Sequence, residues 1–199
     1  MDRFLIILDP GHGVETPGKR SPVWEDGRQL FEHEFNLDIA KRIQKALNNE
    51  NCFTMLSRHD EHDIPLSERV RWVNATTVPF HKSLFVSVHA NAGGGKGWEV
   101  FTSVGETESD KYATIFYEEM MAEFPDVRFR KDMADGDPDK ESQFYVLRKT
   151  TMPAVLTENF FMDTLSDCEI IMSEEGRKKI ADAHISAIKR IIKIWENGK

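Results

Sequence analysis

The chain has 199 residues, 40% hydrophobic and 30% charged, with a formal net charge of -8 from 34 acidic and 26 basic side chains. That is an ordinary globular composition, long enough for one domain with a full core. It lacks the basic patch of a nucleic-acid partner and the run of about 18 apolar residues needed for membrane insertion, and its two cysteines make neither a disulfide framework nor a metal spacing.

The apolar stretch Phe4 to Leu8 is too short for a signal peptide, so synthesis in the cytoplasm is expected. Leu5-Ile6-Ile7-Leu8 reads instead as a buried strand, and Asp9-Pro10-Gly11 turns the chain out of it. His12 is thereby set at the C-terminal edge of a sheet, between two glycines that leave room for a ligand or a metal. Residues 14–30 form a loop long enough to suggest a function, read here as a wall of the substrate cleft. A helix is predicted from Glu32 to Asn48 on the stripe Phe35, Ile39, Ile43 and Ala46. Glu32 and Glu34 both lie in its first turn, where the helix dipole favours a carboxylate, and His33 is expected to be exposed.

Cys52 to Ser57 reads as a second strand, with Cys52 a core residue. The run Arg58 to Asp63 holds two histidines and three acids, and a solvated charged loop explains it more simply than a metal site. Leu66, Val70 and Val73 mark a short helix, with Arg58 and Arg69 read as structural partners for acids or helix ends. Ser83 to Val88 is a third strand that delivers His89. Gly93-Gly94-Gly95 lacks the Lys-Ser/Thr of a phosphate loop and reads as a turn, and Gly97 to Phe101 follows as a strand. A helix is predicted over Asp110 to Phe124. Asp135, Asp137 and Asp139 alternate as in a calcium loop, but Lys140 and Val146 occupy the positions that need glycine and glutamate, so calcium is rejected and a mobile loop is expected. Phe144 to Leu147 is a short apolar run ending at Arg148, read as an exposed strand-end residue. Pro153 to Thr157 is the last buried strand, with Glu158 at its end. Ser173 opens a final helix whose inward stripe is Ile180, Ala183, Ala187, Ile191 and Trp195.

Two histidines and one carboxylate suit a catalytic zinc ion, which keeps one position open for water. A second carboxylate that is not a ligand can then act as general base. The four motifs around His12, Glu32, His89 and Glu158, running from Leu8 to about Phe161, resemble those of the zinc-dependent N-acetylmuramoyl-L-alanine amidases of the type-3 amidase family, which cut peptidoglycan. The resemblance implies that His12, Glu32 and His89 are the zinc ligands and Glu158 the catalytic carboxylate. The family pattern places the ligand four residues before Asn36, which selects Glu32 over Glu34. The chain departs from the pattern at Phe160, where the family's commonest wording has glycine.

The expected architecture is a single α/β domain over residues 1–199, with a central mostly parallel or mixed sheet of about six strands, helices on both faces, and no appended wall-binding domain. The expected substrate is peptidoglycan, with no nucleic-acid partner and the oligomeric state open. A phage or prophage lysis enzyme would fit, made in the cytoplasm and reaching the wall after release. The rivals are another zinc peptidase or deacetylase, and a metal-free peptidoglycan-binding module.

Overall fold

The computed structural model describes residues 4–48, 52–77, 80 and 82–198. Twelve elements follow in chain order: β1 (Phe4–Pro10), α1 (Glu32–Asn48), β2 (Phe53–Leu56), α2 (Leu66–Thr77), β3 (Lys82–Asn91), β4 (Glu99–Thr102), α3 (Glu108–Glu123), β5 (Lys140–Glu141), α4 (Tyr145–Lys149), β6 (Ala154–Phe161), α5 (Leu165–Met172) and α6 (Glu174–Asn197). The strands form one mixed sheet in the order β2-β1-β3-β6-β4-β5. β2, β1, β3 and β6 run parallel, and β4 pairs antiparallel with β6.

β1 is apolar on both faces because both are covered. Ile6 and Leu8 pack with Phe35, Ile39 and Ile43 of α1 and with α3 and α6, whereas Leu5 and Ile7 pack with Val70 and Val73 of α2 and with Val146 and Leu147 of α4. The α1 stripe is fully buried at Phe35, Ile39 and Ile43, each worth roughly 1.5–3 kcal/mol against exposure. β2 and β3 lie on opposite sides of β1, reached by way of helices on opposite faces. A crevice therefore opens between the C-terminal ends of β1 and β3, the place where α/β sheets bind ligands.

The α1 bounds match the sequence pattern, and Ser173 caps α6 by accepting from the Gly176 amide at 2.9 Å. Other expectations shift. The last strand does not stop at Thr157: β6 continues through Glu158 to Phe161, with a bulge between His89 and Asn91 of β3. Residues 145–149 form the helical turn α4, so Arg148 is an exposed helix residue and not a strand end. Cys52 precedes β2 and is half-buried against the core. α5 and the short β5 had no clear apolar period to announce them. Among the described residues no helix is long and apolar enough to cross a membrane.

Candidate functional site

His12 adopts a left-handed backbone, with φ of 60°, an uncommon state for a residue with a Cβ. The turn is held from below by two buried arginines. Arg58 donates to the carbonyls of Pro10, Gly11 and His33, and Arg69 donates to Asp9 at 3.0 Å and to the Pro10 carbonyl. Arg69 is thus the expected partner of acids, whereas Arg58 serves backbone carbonyls instead of an acid or a helix end. A Cβ added at Gly11 would collide with the His89 ring, and one at Gly13 with the backbone of Asp63. The glycines exist because the histidine loop is packed this closely. His33 is buried, contrary to expectation, because its carbonyl serves Arg58 and its ring lies edge-on to Phe31.

Glu32 opens α1 beneath His12. Its Oε1 lies 3.4 Å from His12 Nε2 and 3.1 Å from His89 Nδ1. The Asn36 amide and the Ala90 backbone N–H donate to the same oxygen. Atoms that His12, Glu32 and His89 can offer a metal all lie within 4.8 Å of one another. Glu34 is exposed and lines a separate groove of about 630 Å³ with Lys41, His59 and His62. Glu32, and not Glu34, is thus the first-turn carboxylate that faces both histidines. Glu32 is only 1% exposed, but the side chains of His12 and His89 stay 20% and 14% exposed, so a ligand can reach the histidines from solvent.

Glu158 is the direct register partner of His89 on β3 and of Glu99 on β4. Its Oε2 is buried without a hydrogen-bond partner, as is Oε2 of Glu32. Just beyond it Phe160 takes φ of 66°. The backbone glycine would favour is therefore retained, and the phenyl ring is buried edge-on against Phe124 at 5.1 Å. Asn159 ties this bulge to the site, accepting from Trp98 Nε1 and donating to the His89 carbonyl, each at 3.0 Å.

The charges fall into an ordered pattern. Burial lowers the His12 pKa to about 4, with Glu32 opposing, so the ring is neutral and has a lone pair to offer near pH 7. Burial works against the charged form of Glu32, but the hydrogen bond and charge of His89 outweigh it and hold this carboxyl low. His89 is also penalised by burial, yet Glu32 and Glu158 raise it overall. Burial pushes Glu158 up to about 7, partly offset by His89. Two carboxyls in one site are thus driven apart, one ionised and one poised to exchange protons near neutrality.

Several residues beside the site carried no motif. Lys19 puts its Nζ 3.9 Å from Oε2 of Glu32, so the 14–30 loop does border the site. Gly93 and Gly94 N–H groups donate to Asp163, which makes the triple glycine an internal turn. In the charged run, His62 pairs with Glu15 and Asp63 with Arg69. Asp139 of the 131–139 segment is buried against the Thr102 hydroxyl at 2.6 Å, and Lys140 reaches Glu99 at 2.5 Å.

The donor set fits a metal ion. Two imidazoles and one carboxylate offer atoms that converge, and Glu158 stands apart from the converging group. The model of the N-acetylmuramoyl-L-alanine amidase family matches residues 6–190. The chain is 33% identical over 197 residues to N-acetylmuramoyl-L-alanine amidase CwlM of Bacillus licheniformis, spanning 97% of this chain and 70% of that one. It is 31% identical to the endolysin of Bacillus phage SPP1, covering 96% and 66% of the two chains. The crystal structure of N-acetylmuramoyl-L-alanine amidase from Clostridium difficile 630 superposes with a TM-score of 0.83 at 26% identity, over 97% of this chain and 98% of that one. The chain therefore belongs to the N-acetylmuramoyl-L-alanine amidase family, enzymes that hydrolyse the amide joining peptidoglycan sugar to its peptide.

Proposed function

We propose that the chain is a zinc-dependent amidase in which His12, Glu32 and His89 hold the metal and Glu158 is the general base and acid. One observation carries this reading: the ligand atoms of the first three residues converge within 4.8 Å while Glu158, opposite His89 in register, stays outside the group. When bound, zinc supplies a Lewis acid for the amide carbonyl and lowers the pKa of water. Glu158 takes the proton from the attacking water and passes it to the nitrogen of L-alanine as the amide C–N bond breaks. That second transfer is necessary because an amide anion is a poor leaving group, and one carboxylate can serve both steps. A carboxyl with a pKa of about 7 suits both directions. The neutral ring of His12 and the ionised carboxyl of Glu32 are in the forms that bind a metal. Lys19, 3.9 Å from the other oxygen of Glu32, favours the ionised form by its charge. Delivery to the wall by cell lysis is the part of the proposal supported by the likeness to a phage endolysin.

Mass analysis of digested peptidoglycan tests the bond. The expected products are free stem peptides with an L-alanine amine. New sugar reducing ends, or amines within the stem or crosslink, would refute the assignment. His12→Ala and His89→Ala should each lose zinc and activity together.

A further inference from the structure

We infer that Ser87 and Asp9 are positioning residues that fix which nitrogen of His89 faces the metal. The inference rests on the zinc reading above and concerns two residues that flank the histidines in sequence and to which that reading gives no role. Asp9 is 1% exposed at the end of β1. One of its oxygens, Oδ1, accepts from the Ser57 hydroxyl and from Arg69 at 3.0 Å. The other, Oδ2, accepts from the Ser87 hydroxyl at 2.6 Å. Ser87 is itself fully buried on β3, two residues before His89 on the same edge of the strand. Its Oγ lies 3.2 Å from His89 Nε2.

The direction of this chain follows from what each group can do. A carboxylate has no hydrogen to give, so Asp9 only accepts. Ser87 has a single hydroxyl hydrogen, and the short contact to Asp9 uses it. The Ser87 oxygen can therefore meet His89 Nε2 only as an acceptor, so Nε2 must carry a hydrogen. Nδ1 meets the Glu32 carboxylate at 3.1 Å and donates to it; a metal held between Glu32 and His89 would take the place of that hydrogen, while Nε2 keeps its own on Ser87, so the ring's lone pair would then fall on Nδ1. The Arg69 guanidinium and the Ser57 hydroxyl hold Asp9 as the fixed end, so the polarity of the whole chain is set in the core and read out at the metal. A buried hydrogen bond to the second nitrogen is the general means of fixing a histidine ligand's tautomer and ring orientation. Here a serine is interposed between the carboxylate and the ring.

The test measures zinc affinity by chelator competition, together with long-range proton–nitrogen correlation spectra of the zinc-loaded protein. In the wild type His89 should carry its hydrogen on Nε2. Ser87→Ala removes the acceptor without adding bulk, and zinc affinity should fall by about 10- to 100-fold. Asp9→Asn can turn its amide hydrogens toward Ser87 and reverse the chain, and should weaken zinc at least as much. Should Asp9→Asn fail to fold, Ser87→Ala alone still decides. A hydrogen on Nδ1 in the zinc-loaded wild type, or zinc affinity within twofold of wild type in Ser87→Ala, would overturn the inference and leave the amidase reading intact. A wild type that binds no zinc would overturn both.

Discussion

Gly11→Ala isolates the packing of the histidine loop from its chemistry. Gly11 is not among the residues with positive φ, so alanine meets no backbone penalty there. The new methyl would lie under 3.0 Å from Cε1, Nε2 and Nδ1 of His89 alike, a separation real Cβ atoms essentially never show. The ring is a planar block and must retreat as a whole, by on the order of 1 Å, a displacement that can cost about 100-fold at a working site. Metal sites tolerate departures of only about 0.2 Å in ligand distance. Zinc affinity should thus fall at least about 100-fold, near 2.7 kcal/mol. The metal-free fold should lose about 1–3 kcal/mol to overpacking, seen as a melting temperature lower by about 2–4 °C per kcal/mol. Gly94→Ala is the control: its Cβ would meet nothing within 4 Å, and its φ of +72° predicts only backbone strain, roughly 1 kcal/mol, with zinc affinity unchanged. Chelator competition and thermal melts on both variants make the comparison. Zinc binding by Gly11→Ala within threefold of wild type would refute the reasoning, because the loop would then have room to spare.

Three further outcomes follow from particular residues. Phe160→Ala should cost about 3–5 kcal/mol for the lost ring, and Phe160→Gly about 1–2 kcal/mol less than that because glycine relieves the left-handed backbone; urea melts showing alanine equal to or better than glycine would contradict the φ of 66°. Asp139 is held well above its ordinary 3.8, first by burial and then by the facing Asp137 carboxyl, so it stays protonated in the fold. Its contribution to stability is full below pH 3.8 and is lost as pH rises toward the folded value. Asp139→Asn should flatten that part of the stability-against-pH curve, and parallel curves for the two proteins would exclude a raised Asp139 carboxyl. Finally, Glu32→Gln should lower zinc affinity far more than Glu34→Gln, because only Glu32 faces both histidines; equal losses would remove Glu32 as a ligand.

The chain discloses those parts of itself that repeat or that carry unusual residue types. α1 was legible to the residue because its apolar stripe has helical spacing and its first turn is acidic. β1 and β3 were legible because strands covered on both faces become continuous apolar runs. The end of β6 was not, because a bulge breaks the period and Phe160 gives no sign of a left-handed backbone. α4 is a single turn and α5 has its apolar residues spread around it, so neither shows a clear stripe. His33 was misread because a histidine between two glutamates looks solvated, whereas Arg58 draws its backbone inward. The contacts of Lys19 and Ser87 were not legible for a different reason: each reaches a partner 13 or more residues away in sequence, and no local pattern encodes it.

The division of labour between three ligands and one proton carrier is tested most directly by Glu158→Gln, with bound zinc and turnover on peptidoglycan measured on the same sample. The amide keeps the shape of the side chain and removes its basic oxygen. Zinc should remain stoichiometric, the fold should melt as the wild type does, and turnover should fall by at least about 100- to 10,000-fold, the usual worth of general acid–base catalysis. Turnover within a few fold of wild type, with zinc still bound, would remove Glu158 from the mechanism, and loss of zinc would make it a ligand instead.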